Sequence, residues 1–453
     1  MKSAVVLGGG FAGVLAAHVL ARHAHHVTLV ESGWYPEDPV ARPGLPQAYH
    51  SHVLVTGGAR ALETLLPGTL EALLARGAQR RGLPDGALIR SSDGWFRRHD
   101  TGAYLVSAGR WLMDHVIRQR ALAGGAVTVR DRSRVVALAG DASRVTGVVV
   151  AGPDGRTATI PADLVVDATG RRSRADRWLT ALGGPPVEEE TVDPGLAYST
   201  RIYRGPAGLA ATLPAIMLHP RPASGRPGYG ATLLPIEDDR WIVTLTGTRG
   251  APPPVTDAEF TECADGLDLA VLTGLLAAAE PIGPIRPYRA TANRRKFFER
   301  QALPGNFLVL GDALVAVNPV YSHGMSVAAL SALRLDRELT GRPGGGLGGL
   351  QDAMAAEADA SWRMATGQDR AGATGTPPPR RTPALTGRAV LSSPALMTEM
   401  FRAQTLVPAH RTVDAAFLRE LTAEPGTPLA TGEAIAQYRG LSDWWLSTAG
   451  SRL

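Results

Sequence analysis

Gly8, Gly10 and Gly13, with Phe11 and Ala12 between them, fall on the spacing G-x-G-x-x-G, between an apolar run at residues 4–7 and a helical pattern. The three glycines serve different ends: a tight strand-to-helix turn, close approach of backbone to a pyrophosphate, and close packing of helix on strand. The pyrophosphate would lie at the helix N-terminus, where unpaired N–H groups and the helix dipole favour anions. A second apolar run, residues 27–30, ends in Glu31, where an acid can accept hydrogen bonds from an adenosine ribose. This stretch alone leaves the cargo open between FAD and NAD(P).

Two further sets of residues carry chemistry. The hydrophobic run at residues 307–310 delivers Gly311-Asp312, and a helix follows from Gly324-Met325. A carboxylate at a strand end suits a ribityl or ribose hydroxyl. The helix start offers N–H groups and a positive dipole end to an anion, such as the N1–C2 edge of a reduced flavin. The other set is Asp167-Ala168-Thr169-Gly170-Arg171-Arg172-Ser173, where a buried strand ends on a glycine turn.

These residues need elements to position them. The alternation and turn signals predict a strand–helix–strand opening unit, a helix over 58–76 broken at Pro67-Gly68, and a helix over 110–121. Residues 133–161 read as a meander of strands, and 198–247 as an antiparallel sheet forming a second domain. Residues 257–279 read as a helix, 281–300 as an extended return path, and 324–339 as a helix. Past the glycine-rich break at 341–349, residues 350–365 and 395–418 look helical, with a flexible linker near 371–383. The expected fold class is therefore α/β: a Rossmann-like, glutathione-reductase-type nucleotide domain, a second antiparallel-sheet substrate domain, and a helical C-terminal region. The boundaries are 1–85, 105–190 and 285–345 for the discontinuous first domain, 86–104 and 191–284 for the second, and 346–453 for the third.

Composition narrows the class of function. The 453 residues suffice for two or three domains, and 44% hydrophobic with 20% charged residues describes an ordinary globular chain. The net charge of +5 is carried by scattered arginines, the only lysines being Lys2 and Lys296. The densest cluster, Arg294-Arg295-Lys296, lacks interleaved aromatic platforms, so no nucleic-acid partner is expected. The single cysteine, Cys263, excludes an internal disulfide framework and makes a cytoplasmic location the simplest reading. No signal peptide or membrane span is expected. The histidines at 18, 23, 25 and 26 read as surface residues suited to the C-terminal dipole of the first helix, and His50-x-His52 lacks a third ligand at a recognisable spacing, so no metal is expected. No G-x-S-x-G elbow points to hydrolase chemistry.

With the glycine fingerprint, the stretches 167–173 and 311–325 resemble, in order and spacing, the three flavin motifs of class A FAD monooxygenases, the family of p-hydroxybenzoate hydroxylase and squalene epoxidase. The likeness covers roughly residues 1–340. Within that family, residues 42–52 (RPGLPQAYHSH) are similar to the R-x-G-V-P-Q-x-x-H-x-H of bacterial polyether epoxidases of the monensin and lasalocid type. Residues 57–60, 65–68 and 239–245 share the likeness. Arg110-Trp111-Leu112-Met113-Asp114 resembles their S-R-P-L-L-D, with Gly109 and Trp111 replacing Ser and Pro. The resemblance implies that Arg110 reaches the FAD phosphates, that Arg42 lies near the isoalloxazine or pyrophosphate, and that Pro319 to Met325 back the flavin ring. His323 is then either beside the flavin or an ordinary loop histidine.

The reaction so implied is reduction of FAD by NAD(P)H, directly or through a partner flavin reductase, capture of O2 as a C4a-hydroperoxyflavin, and oxygen transfer to an alkene of an apolar natural product such as a polyketide polyene. An aromatic hydroxylase is the alternative, although no base that would ionise a phenol is identifiable. A flavin reductase or dehydrogenase acting on a prenyl chain is a third reading. The cofactor-binding set is Gly8, Gly10, Phe11, Ala12, Gly13, Glu31, Arg42, Arg110, Asp167, Gly170, Gly311, Asp312, Gly324 and Met325. Arg42, Pro319 and His323 are the flavin-proximal residues. The oligomeric state is left open.

Overall fold

The strand Ser3–Leu7 is buried along almost its whole length, as a strand covered on both faces must be. In the computed structural model, which describes residues 1–42, 45–220, 227–341, 347–374, 387–409, 419–420 and 427–449, it is the middle of a five-stranded parallel sheet. Its neighbours are Leu164–Asp167 and His26–Val30, with Phe307–Val309 and Val127–Arg130 outside them. The helices Phe11–Leu20, Arg110–Leu122 and Gly324–Thr340 bury Leu15, Met113 and Leu335 in the core that includes this sheet. The meander over 133–161 is three antiparallel strands, Arg134–Gly140, Val145–Ala151 and Thr157–Pro161.

The second layer is a six-stranded sheet in the order Glu280–Tyr288, Ala197–Arg204, Arg240–Gly247, Tyr229–Pro235, Ala215–Leu218 and Ala87–Arg90. Only the last pairing, between Ala87–Arg90 and Ala215–Leu218, is parallel. The period of two along the strands divides their side chains between two faces. Tyr203, Trp241, Val243 and Leu245 pack with Phe260 and Leu272 from two covering helices. Tyr198, Thr200, Ile202, Thr244 and Tyr288 belong to the other face. Direct cross-strand pairing sets Thr200 opposite Thr244 and Tyr198 opposite Tyr288.

Three expectations need correction. Residues 257–279 form two helices, Asp257–Asp265 and Ala270–Ala277, because the chain turns between them to bury Leu267 and Leu269, with Asp268 in the left-handed region at φ 52°. Ala87–Arg90 and Tyr104–Ser107, close in sequence, go to different sheets: Tyr104–Ser107 pairs with Val53–Val55 and Gln79–Gly82. The helix expected at 350–365 runs on as Leu350–Thr374. It takes in the start of the linker at 371–383, whose remainder lies outside the described residues. The helix expected at 395–418 is Pro394–Gln404, with residues 410–418 likewise outside.

Among the described residues, the helices past residue 346 pack on three different surfaces. Leu350–Thr374 buries Met354, Ala358 and Trp362 in the parallel-sheet core. Gly387–Ser392 and Pro394–Gln404 pack Val390, Leu396 and Phe401 against Val53, Ile89 and Phe96. Thr431–Ala436 and Arg439–Ala449 bury Ala434 and Leu441, with Tyr438 between the two helices, beneath the antiparallel sheet. Apolar residues at helical spacing predict a helix but carry no label for the surface it covers.

Candidate functional site

The three motifs, far apart in sequence, converge, and the glycines record how closely. A Cβ on Gly8, whose φ is 91°, would stand 2.7 Å from the Ala168 carbonyl oxygen. One on Gly13 would stand 1.8 Å from the Gly8 carbonyl, and one on Gly311, at φ 63°, 2.9 Å from Ala12. Gly324 lies against the Asp312 carboxylate, a Cβ there being 3.4 Å from Oδ1. Gly10, like Gly170 of the middle motif, has open space where its side chain would be. The turn is thus tight on the protein side and clear above Gly10, the shape a pyrophosphate requires.

Arg110 supplies the matching charge. It starts the helix Arg110–Leu122, is almost fully buried, and holds its guanidinium 5.5 Å above the Phe11 ring. Its Nε and Nη1 have no hydrogen-bond partner among the described residues, and burial pulls its pKa down despite Asp114. A buried cation with orphaned donors is costly unless a partner arrives. A dinucleotide pyrophosphate at the Phe11 helix start would be that partner, so the residues present fit the group.

Arg42 belongs to the turn of the first motif. It lies with Glu31 and Gly9 at the glycine turn, donating from Nε to Asp114 at 3.0 Å and from Nη2 to the Gly9 carbonyl at 2.9 Å, with Glu31 3.8 Å away. Burial alone would lower its pKa, but the bond and charge of Asp114, with Glu31, raise it above the usual value. Glu31 accepts from the Gly9 and Gly33 N–H groups, both at 2.7 Å, and Tyr35 donates to the Gly9 carbonyl at 2.9 Å.

In the middle motif, Asp167 is fully buried and its oxygens are taken by its own turn: Thr169 N–H and hydroxyl at 2.9 and 2.6 Å, and Ser173 hydroxyl at 2.5 Å. Its contribution is to shape the turn at Gly170, where φ is 74°. Asp312 keeps its carboxylate clear, with Arg171 Nε 3.6 Å away, and burial raises its pKa against the pull of Arg171, Arg110 and Arg294.

The loop at 318–323 precedes the helix Gly324–Thr340, in which Met325 is buried. Asn318 caps the turn Pro319–Tyr321 by accepting from the Val320 N–H, and Ser322 adopts the left-handed region. Asp369, on the long helix past residue 346, holds this loop. Its buried carboxylate accepts from Asn293 Nδ2 at 2.5 Å, Asn318 Nδ2 at 3.3 Å and Tyr321 hydroxyl at 2.5 Å. Both ring nitrogens of His323 are engaged as well, with Ser361 Oγ at 2.9 Å and the Gln404 carbonyl at 3.0 Å. His323 therefore ties the helix start to the C-terminal helices and has no ring nitrogen left for a ligand.

On the sheet face that carries Thr200 and Thr244, the turn Pro46–Tyr49 leads into His50, whose Nδ1 meets Thr200 Oγ1 at 3.0 Å. Thr200 and Thr244 hydroxyls are 2.9 Å apart, and Ser51 Oγ is 2.8 Å from Thr244. Tyr198 and Tyr288 stack with centroids 5.1 Å apart, each edge-on to the His50 ring. Burial and the Arg286 charge pull the His50 pKa to about 4, and burial with Arg110 pulls His52 to about 3. His52 Nδ1 is spent on the His50 carbonyl at 2.8 Å.

Sequence reasoning gave no role to Asp369, Asn293 or Glu237, nor to Asp114 beyond its place in the motif that begins at Arg110. Asp114 had a signal, lying four residues from both Arg110 and Arg118 on one helix face. Glu237 explains the departure at Gly109 and Trp111: its carboxylate accepts from the Gly109 N–H and the Trp111 indole, both at 2.9 Å, pinning this helix start to the antiparallel sheet.

Comparison with known proteins agrees with this geometry. A family model described as FAD binding domain matches residues 1–345. Protein Rv3254 of Mycobacterium tuberculosis is 34% identical over 352 residues, 75% of this chain and 73% of its own length. Among solved structures, the p-nitrophenol 4-monooxygenase PnpA from Pseudomonas putida DLL-E4 superposes with a TM-score of 0.63 at 18% identity, over 91% of this chain and 100% of its own. The flavin-dependent brominase Bmp2 superposes with a TM-score of 0.62 at 18% identity, over 89% and 92%. These two likenesses are of fold. By the match over its first 345 residues, the chain belongs to the FAD binding domain family.

Proposed function

We propose that this protein is a FAD-dependent monooxygenase that uses NAD(P)H and O2 to epoxidise an alkene of an apolar small molecule. The observation that carries the cofactor assignment is the buried, unpartnered Arg110 guanidinium facing the Phe11 helix start, where Gly10 leaves room for a pyrophosphate. Arg110 and the Phe11 helix N-terminus would hold the phosphates, Asp312 the ribityl hydroxyls, and the Gly324 helix start the N1–C2 edge of the ring. The flavin supplies the oxygen-activating chemistry when bound, and the protein orients the substrate and keeps water out. The structural likeness to a p-nitrophenol monooxygenase supports this class of reaction.

The polar face of the antiparallel sheet favours an alkene over a phenol. Phenol hydroxylation gains from a base that ionises the substrate, and a good base has a pKa near the working pH. His50, with a pKa of about 4, is a weak base at neutral pH, and burial raises the Tyr198 hydroxyl above its ordinary value. An alkene needs no ionisation. Its π system suits a wall made by the Tyr198–Tyr288 stack and a neutral imidazole.

The FAD-loaded protein, supplied with NADPH in air, should consume O2 and add one oxygen atom to a polyene, read by an oxygen electrode and product mass. Oxygenation of a phenol but no polyene would replace this reading with the hydroxylase. NADPH oxidation without stoichiometric O2 uptake would replace it with a reductase.

A further inference from the structure

A groove of about 430 Å³ lies between residues 39–41, just ahead of Arg42, and the edge strand Glu280–Tyr288. Much of its wall is apolar, with Val40, Ile202 and Ile282, and Trp111 stands along it. Two guanidiniums also line it, and their situations differ. Arg240 is spent, bonded to Glu237 at 3.1 Å and Asp238 at 2.6 Å. Arg286 is half-buried and lies over the face of Tyr49, its Cζ 3.8 Å from the ring centroid. No carboxylate of a described residue comes within 4.0 Å of it, and it makes no hydrogen bond to one.

A guanidinium stacked on an aromatic face is held in place with its N–H edges pointing sideways, the arrangement suited to a planar oxyanion. Thr200, whose hydroxyl is shared with His50 and Thr244, lies on the same wall and links the groove to the aromatic cluster. One uncompensated cation beside apolar surface matches a molecule with one anionic end and an apolar body. A dinucleotide, with two phosphates and a large polar frame, matches it poorly.

We propose that this groove binds an apolar carboxylate, the carboxylate on Arg286 and the chain along Ile202 and Ile282, so that the substrate is an alkene carrying an acid group. Calling that ligand the substrate rests on the monooxygenase reading; the binding itself does not.

The test is calorimetric titration of the FAD-loaded protein, at low salt and pH 7.5, with 10-undecenoic acid, its neutral primary amide, and NADPH. The acid should bind about tenfold more tightly than the amide, the margin expected of a charge-assisted bond on a partly buried guanidinium. Arg286→Gln should remove that margin and leave the amide unchanged, and Arg286→Lys should restore part of it. Equal binding of acid and amide, or an Arg286→Gln variant with wild-type affinity for the acid, would overturn the proposal. So would a loss confined to NADPH. Oxygen uptake measured on the same samples reports separately on the monooxygenase reading: carboxylate binding without uptake retains the site and rejects the reaction.

Discussion

The glycine turn ahead of helix Phe11–Leu20 and the loop ahead of helix Gly324–Thr340 both present the start of a buried helix, yet they are held in opposite ways. The first is built from its neighbours: Gly8 hydrogen-bonds the Val30 carbonyl, Gly9 the Glu31 carboxylate, and Gly13 packs directly on Gly8. The second borrows its support from distant chain. Asp369 and Ser361 come from one helix, the Gln404 carbonyl from another, and all three lie beyond the region that the family model matches. A local device tolerates almost no change in backbone shape. A borrowed one tolerates changes in the loop but depends on remote helices being docked. The helices past residue 346 thus hold the loop ahead of helix Gly324–Thr340.

The largest effect should come from Gly13→Ala. A methyl 1.8 Å from the Gly8 carbonyl forces helix and strand apart, so the variant should lose folded yield or FAD binding outright, read by circular dichroism and flavin absorbance. Near-normal behaviour would break the claim that this turn is rigid. Next is Asp369→Ala, which strands the Asn318 amide and the Tyr321 hydroxyl and leaves the Asn293 amide only the Val192 carbonyl. With about 1–3 kcal/mol for each buried donor left unmade, partly relieved by water, the loss should be about 3 kcal/mol in urea unfolding. If the loop lies against the flavin, the visible spectrum or potential of bound FAD should shift too, and an unshifted flavin would make the clamp purely structural.

Arg110→Met should separate cofactor binding from stability. Affinity for FAD should fall about 100-fold, about 2.7 kcal/mol, while the cofactor-free protein melts no lower than wild type, because a buried unpartnered cation has been removed. Thermal melts with and without FAD check both halves. The smallest effect concerns His50. Its folded pKa of about 4 lies below the unfolded value, so the unfolded chain binds the proton first, and stability is lost as pH falls from about 6.5 toward 4. Between pH 7.5 and 5 this group alone should cost about 2 kcal/mol. His50→Gln should flatten that part of the profile in urea titrations at the two pH values.

Much of this site was legible in sequence where it is local. Gly8, Gly10, Gly13 and Glu31 could be read because their partners lie within one strand–helix–strand unit. The run 307–312 and the helix after Gly324 could be read from hydrophobic pattern and glycine placement. Arg42 shows the limit: its motif was visible, but its place beside Gly9 and Glu31 was set by Asp114, on a helix 72 residues further on. His323 shows another, since a histidine at a helix start looks the same whether it faces a ligand or, as here, a serine and a carbonyl of remote helices. Asp369 had no signal at all, being one acid in a polar helix until three donors from elsewhere converge on it.

What the sequence determined by itself was the class of fold and the identity of the cradle. Strand burial, helix period and the steric demand for glycine act over a few residues, and these are written consecutively. What only the tertiary structure decided was which charges are spent and which are left over. Arg42 and Arg240 are neutralised by carboxylates, Arg110 faces the glycine turn unpartnered, and Arg286 faces a groove without an acid. All four are arginines in a chain rich in them. The difference between a structural ion pair and a binding group is the distance to a carboxylate from another part of the chain, which packing alone sets.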